Sequence, residues 1–156
     1  MTETRGPKIK VPPAFFVGGF LVGVLLESAI RIPFVTGASV RTLSSIGWLI
    51  ALLGFALSLS GILAFRRAHT TMFPFEAATR VVQNGPYRFT RNPMYLGATV
   101  TYIGIALAMN VGWPLILLPL VLWGLYRWVI RVEEQYLTNL FGEEYVTYTK
   151  RVRRWI

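Results

Sequence analysis

Two short stretches carry most of the chemistry this sequence could perform. The first is "NGPYRFTRNPMYLG", Asn84 to Gly97, which sets two turn signals, two arginines and three aromatic rings at the mouth of an apolar run. The second is the acidic pair Glu133–Glu134, which follows another apolar run. A carboxylate can pair with an ammonium or accept a hydroxyl, and tyrosine can pack against a cation or a flat ring. Each stretch also has a purely structural reading. Asn84-Gly85-Pro86 is a turn, Asn92 can cap a helix with Pro93 at its first position, and Tyr87 and Tyr95 suit an interfacial aromatic belt. Arg88 and Arg91 then act as anchors at the inner membrane face. Arg131 and Glu134 have the spacing of a helical ion pair, and Arg127 can snorkel. That accounts for Glu134 better than for Glu133, because an acidic residue gains nothing from the negative potential of the inner leaflet.

Membrane helices must position these residues. Of 156 residues, 54% are hydrophobic and 15% charged, and the mean hydropathy is +0.51. Such a composition belongs to a membrane protein. Four apolar spans can be drawn, over 12–30, 44–65, 94–109 and 113–130; roughly 17–25 residues cross a bilayer, and the third span is marginal. The expected fold is an all-α membrane protein: one domain over 1–156 with four transmembrane helices, a loop at 66–93 and amphipathic C-terminal helices over 131–156.

Lysine and arginine orient it. Three precede the first span (Arg5, Lys8, Lys10), five lie in the 66–93 loop and six follow from Arg127 onward, whereas only Arg31 and Arg41 separate the first two spans. Fourteen against two places the N- and C-termini and the long loop in the cytoplasm, which requires an even number of spans. The "NVGWP" connection makes a hairpin of the last two spans. The "RNPMY" and "EE" ends therefore meet at one membrane face, as two halves of a pocket.

Small residues mark helix contacts: Gly19 and Gly23 in the first span, Gly54 and Ser58 in the second, and Gly97, Thr101, Gly104 and Ala108 in the third. Beyond the fourth span, Tyr136, Leu137, Leu140 and Phe141 recur at helical spacing. Gly142 should break that helix before a second one, whose basic end (Lys150 to Arg154) rests at the membrane surface.

Several classes are excluded or weakened. The chain has no cysteine, so disulfides and thiol catalysis are out. A multi-histidine metal site is impossible with His69 as the single histidine, which reads as a solvated loop residue. The net charge of +9 lies beside apolar runs, so it reads as contact with anionic membrane lipid rather than nucleic acid. Neither standard glycine-rich phosphate loop is present. The N-terminus does not read as a signal peptide. Glu27 and Arg31, one turn apart, fit a boundary ion pair.

"GPYRFTRNPMYLG" followed, after a hairpin, by "RVEEQYLTNLFGEEYVTY" resembles the isoprenylcysteine carboxyl methyltransferase and phospholipid methyltransferase family over about Thr79 to Tyr148. The resemblance implies an integral membrane enzyme that uses S-adenosylmethionine and releases S-adenosylhomocysteine. It also implies which residues hold the cofactor. Thr79, Arg80, Val81 and Val82 occupy the segment that wraps backbone around it, and Tyr87 matches the tyrosine of a turn. Asn92, Pro93, Met94 and Tyr95 match the "HPxY" element, and Glu133 matches the acid of the "EE" element. Asn92 replaces the family's histidine, which keeps hydrogen bonding but removes titration. The arginine that prenylcysteine-type members direct at the substrate carboxylate falls here on Val129. Arg127 and Arg131, two residues to either side, lie on the opposite helix face unless the helix unwinds near Ile130; with Glu134 they are the weaker candidates for substrate binding.

The resemblance implies methyl transfer, without a metal, to a lipophilic or small acceptor at the cytoplasmic face of a membrane, expected to be a prokaryotic plasma membrane. The acceptor stays open among a prenylcysteine carboxylate, a lipid amine and a thiol. Two other readings remain: a membrane reductase of related fold, and a small four-helix transporter or scaffold, which would want a charge deep within a span.

Overall fold

The computed structural model describes residues 12–68 and 79–156. Arg5, Lys8, Lys10 and His69 lie outside those residues. Every regular element among the described residues is helical: α1 (Pro12–Ala29), α2 (Ser39–Arg67), a 3₁₀ turn (Gly85–Arg88), α3 (Pro93–Ala108), α4 (Trp113–Leu125), a π-helical turn (Tyr126–Ile130), α5 (Arg131–Phe141) and α6 (Glu143–Arg151). Three helical paths are long and apolar enough to cross a membrane: α1, α2 and the continuous run from Trp113 to Phe141. The fourth apolar helix, α3, has 16 residues; at 1.5 Å per residue it is about 24 Å long, short of a hydrocarbon core of about 30 Å. Helix α2 starts five residues before the expected boundary, and α4 runs into α5 without a break.

The helices pair antiparallel. Along α2, Gly47, Gly54 and Gly61 face Ala108, Thr101 and Met94 of α3 in turn, and Gly97 and Gly104 return the contact to Ser58 and Ala51. A Cβ on Gly54 would lie 2.5 Å from the Thr101 nitrogen, so the seam closes only because side chains are missing from it. Lipid offers no hydrophobic drive for helix pairing, so this close backbone approach is what holds α2 to α3. Two side-chain bonds pin the register: Ser58 donates to the Met94 carbonyl at 2.9 Å and Thr101 to the Ala51 carbonyl at 3.4 Å. Helices α1 and α4 pair in the same way, with Gly19 on Val121 and Gly23 on Pro114.

Tyr102 joins the two pairs. Its hydroxyl donates to the Pro114 carbonyl at 2.9 Å, and its ring meets Phe20 edge-on and Phe16 tilted. Phe16, Tyr102, Val121, Leu125, Val129 and Ile130 form the buried core around it.

The expected ion pair between Glu27 and Arg31 gives way to a different arrangement, because α1 ends at Ala29. Glu27 is buried and accepts three backbone N–H groups, from Ile32 (2.6 Å), Gly112 (3.0 Å) and Trp113 (3.3 Å). Two of these are free donors at the start of α4, so the carboxylate is an N-terminal cap supplied by another helix.

The seam makes a stability prediction. Gly104→Val should cost about 2 kcal/mol or more, because its branches would enter the α2 backbone. Gly18→Ala has open space around the new Cβ and should be neutral or stabilising by up to about 1 kcal/mol. Thermal unfolding of both variants in detergent checks the contrast; equal behaviour would show that the seam is not closed.

Candidate functional site

At the end of the bundle away from Glu27, the last turns of α2, the 79–92 segment, the start of α3, α5 and α6 enclose a cleft. Its atom-free space is about 590 Å³, open solvent at its mouth included. The local sequence explains why the backbone turns here. Gly85 takes a positive φ of 61° that suits glycine, Pro86 then fixes the first turn of the 3₁₀ element, and Pro93 opens α3 without a wasted N–H. Gly142, at φ 53°, separates α5 from α6 as its position suggests.

Eight of the ten residues expected at a cofactor line the cleft: Arg80, Val81, Val82, Tyr87, Asn92, Met94, Tyr95 and Glu133. Pro93 is fully buried behind it, and Thr79 stands at the edge of the described segment. Tyr95 donates to the Glu133 carboxylate at 3.1 Å, which ties α3 to α5 across the cleft. No lysine or arginine among the described residues pairs with Glu133. Tyr87 is held from two sides. Its ring meets Phe65 edge-on at 5.3 Å, and its carbonyl accepts the Tyr148 hydroxyl at 2.8 Å. Its own hydroxyl is buried with no hydrogen-bond partner, as is Nε of Arg91.

These tyrosines are firmly protonated. Burial pushes the Tyr87 phenol far above its usual range, and the charge of Glu133 adds to the shift. Burial and neighbouring Tyr145 raise Tyr148, and burial followed by the charge of Glu134 pushes Tyr145 up to about 12. They are therefore hydrogen-bond donors at any physiological pH. A cleft with an unpaired carboxylate, an unpartnered phenol and apolar walls from Val81, Val82 and Leu137 can hold a polar, partly cationic ligand with a flat ring.

The other expectations land differently. Asn92 stands at the N-cap position of α3 without capping it; its side-chain amide donates instead to the carbonyl of Arg154, at 2.9 Å. Glu134 lines the cleft, but its partners are Arg91 (3.0 Å) and Arg154 (2.8 Å) rather than Arg131. Arg131 lines a neighbouring shallow hollow with Gln135 and Asn139, and Arg127 is exposed and lines neither. The π-helical turn falls at Tyr126–Ile130, yet it does not bring either arginine into the cleft. Val129 is fully buried in the core. Phe65, Arg91, Leu137, Tyr145 and Tyr148 complete the lining. Of these, only Phe65 lies outside the two motif stretches, and the other four were not singled out within them as cofactor residues.

Comparison with known proteins accords with this architecture. The phospholipid methyltransferase family profile matches residues 43–144. A protein-S-isoprenylcysteine O-methyltransferase of Saccharomyces cerevisiae is 38% identical over 72 residues, covering 46% of this chain and 30% of the relative. Protein-S-isoprenylcysteine O-methyltransferase B of Arabidopsis thaliana is 29% identical over 112 residues, covering 70% of this chain and 57% of the relative. The chain thus spans about a third to just over half the length of these relatives. With the family profile covering both halves of the cleft and most of the helices between them, the chain belongs to the phospholipid methyltransferase family.

Proposed function

We propose that this chain is an integral membrane methyltransferase that binds S-adenosylmethionine in the cleft and passes its methyl group to a lipophilic or small acceptor. The observation that carries the reading is Glu133, a carboxylate lining the cleft that is bonded by one phenol and ion-paired with no cation among the described residues. When bound, S-adenosylmethionine supplies a methyl group already activated by a positive sulfur. Glu133 would take the ligand's ammonium or ribose hydroxyls, oriented by the Tyr95 hydroxyl. Tyr87 offers an unused donor, and Arg80, which lines the cleft unpaired among the described residues, could take the ligand's carboxylate. Val81, Val82 and Leu137 exclude water from the ring. The protein's contribution is positioning and desolvation. Among the described residues that line the cleft only Glu133 and Glu134 could act as bases, and this reading gives the first to the cofactor and the second to two arginines. A carboxylate or thiolate acceptor needs none; an amine must arrive unprotonated.

The membrane setting belongs to the same proposal. Four helices cross, with α3 as the short span, and both termini and the cleft face the cytoplasm, as the arginine and lysine distribution favours. The family's acceptor arginine has its counterpart at Val129, buried in the core, while Arg127 and Arg131 lie outside the cleft. That favours an acceptor with no carboxylate to clamp, a lipid amine or a small thiol, over a prenylcysteine.

Three measurements test this. S-adenosylhomocysteine at a hundred times its Kd should stabilise the protein by about 2.7 kcal/mol, and Glu133→Gln should weaken binding roughly 10- to 100-fold. Calorimetry that finds no binding to folded protein at millimolar ligand would overturn the enzyme reading. A cysteine introduced at Phe89, which is 78% exposed, should be labelled only from the cytoplasmic side; labelling from outside refutes the orientation. A methylation assay comparing a prenylcysteine analogue, an ethanolamine phospholipid and an alkyl thiol should favour one of the last two. Turnover of the prenylcysteine alone would reverse the acceptor assignment.

A further inference from the structure

Beside the cleft runs a segment that bonds to its lining residues Arg91, Asn92 and Glu134 without lining it itself. After α6 ends at Arg151, residues 152–155 fold back across the start of α3. The Arg91 N–H donates to the Arg153 carbonyl at 3.0 Å. The Arg154 carbonyl receives both the Asn92 amide, at 2.9 Å, and the Thr90 hydroxyl, at 3.2 Å. Thr90 and Asn92 are buried, and the Thr90 oxygen also accepts the Asn92 backbone N–H at 3.1 Å. Two anchors keep the segment in place: Val152 is buried with Tyr145 and Tyr148, and Trp155 packs against the bundle core.

The Arg154 side chain acts separately from its backbone. It grips Glu134 with two bonds, Nε at 3.0 Å and an η nitrogen at 2.8 Å, and its guanidinium lies 5.0 Å from the centre of the Tyr126 ring. Arg91 holds the same carboxylate from the cleft side. Glu134 is therefore held by two cations, while Glu133, its neighbour in sequence, pairs with none among the described residues. Of the two, Arg154 and the segment that carries it lie beyond residue 144, where the family match ends.

We propose that residues 152–155 are a clamp on the methyl-donor cleft, with Asn92 and Arg154 as positioning residues: Asn92 fastens the tail to the "RNPMY" element, and Arg154 neutralises Glu134 so that Glu133 alone presents uncompensated negative charge to the ligand. This rests on the cleft being the S-adenosylmethionine site. It assigns a structural purpose to the asparagine that stands where the family has histidine, since any side chain with an N–H at that place can hold the same carbonyl. It also makes the charge of the cleft depend on the tail. Without Arg154 the cleft becomes more negative, which a sulfonium tolerates better than a neutral thioether does.

The experiment uses the full chain in detergent, with amide exchange at residues 90–92 read without ligand and calorimetry read with each ligand. Asn92→Ala should speed exchange at Arg91 and weaken S-adenosylhomocysteine about tenfold, and Asn92→His should recover both. Arg154→Gln should weaken S-adenosylhomocysteine more than S-adenosylmethionine, shifting the ratio of their Kd values by about fivefold. Arg154→Lys should restore the ratio, because it restores the charge. Loss of packing alone would move both ligands alike. Unchanged exchange in Asn92→Ala, or an unmoved ratio in a folded Arg154→Gln protein, overturns the proposal. Should the unsubstituted protein bind neither ligand, the cofactor reading falls and with it the charge role of Arg154, while the exchange measurement still decides the clamp.

Discussion

The closeness of α2 to α3 is the constraint on which the rest of this protein depends. The two helices approach until backbone meets backbone at Gly47, Gly54, Gly97 and Gly104, and that contact fixes where α3 begins relative to the end of α2. Gly61 therefore sits on Pro93 and Met94, and Phe65, one turn further, meets the Tyr87 ring. The floor of the cleft is thus set by helix packing in the middle of the bundle. Tyr102 carries the same constraint across to α4 through its bond to Pro114. From there the rigid path through the buried Leu125, Val129 and Ile130 delivers Glu133 to Tyr95. A change in the seam would be felt at the site, more than one helical turn away, because packed helices shift as bodies.

Charge in the cleft is arranged by unequal compensation. Two adjacent glutamates leave the same helix, and both line the same space. Side-chain exposure of 15% for Arg91 and 16% for Glu134 makes that pair largely desolvated, whereas Arg154 is 34% exposed. A desolvated carboxylate with one cation of the pair removed costs far more than a surface ion pair is worth. Double coverage of Glu134 thus leaves it spent on structure. Glu133 has the Tyr95 hydroxyl and no ion pair among the described residues.

Much of this was legible in the sequence, and the limits have physical causes. The small-residue stripes at Gly54–Ser58 and Gly97–Ala108 pointed to helix contacts, and they face one another. The motif residues Tyr87, Tyr95 and Glu133 converge because a short connection turns the chain back after α3, so that α4 runs towards the end of the bundle where α3 begins. Phe65 lies outside both motifs, and Leu137 and Tyr148 lie within the second without being marked as site residues, because each enters the cleft through the packing of a different helix, which spacing along the chain does not record. Glu134 was assigned to Arg131 on helical spacing alone. The structure pairs it with Arg91 and Arg154, which are 43 and 20 positions away; a bidentate, part-buried partner outcompetes an exposed neighbour on the same helix. The length of α3 follows the same logic. Asn110 takes a positive φ and bonds residues 34 and 35, so the turn ends the helix where the opposite loop can receive it.

The two ends of the bundle make the functional argument by contrast. Each has a glutamate at a junction of helices, drawn from an apolar stretch where charge is expensive. Glu27 has its oxygens filled by three backbone N–H groups of the chain itself, at the start of α4 and just past α1. It closes that end and leaves nothing for a ligand to satisfy. Glu133 receives one phenol, beside a second phenol that is buried and has no partner. Since buried polar groups in a settled structure are nearly always paired, the unpartnered Tyr87 hydroxyl at one end and the filled carboxylate at the other are the contrast on which the proposed binding site rests. A transporter would place such a charge along a path between the two faces. Here Tyr102, Leu125 and Val129, all buried in one apolar cluster, fill the bundle between its two ends, and Glu133 lines a cleft at one of them.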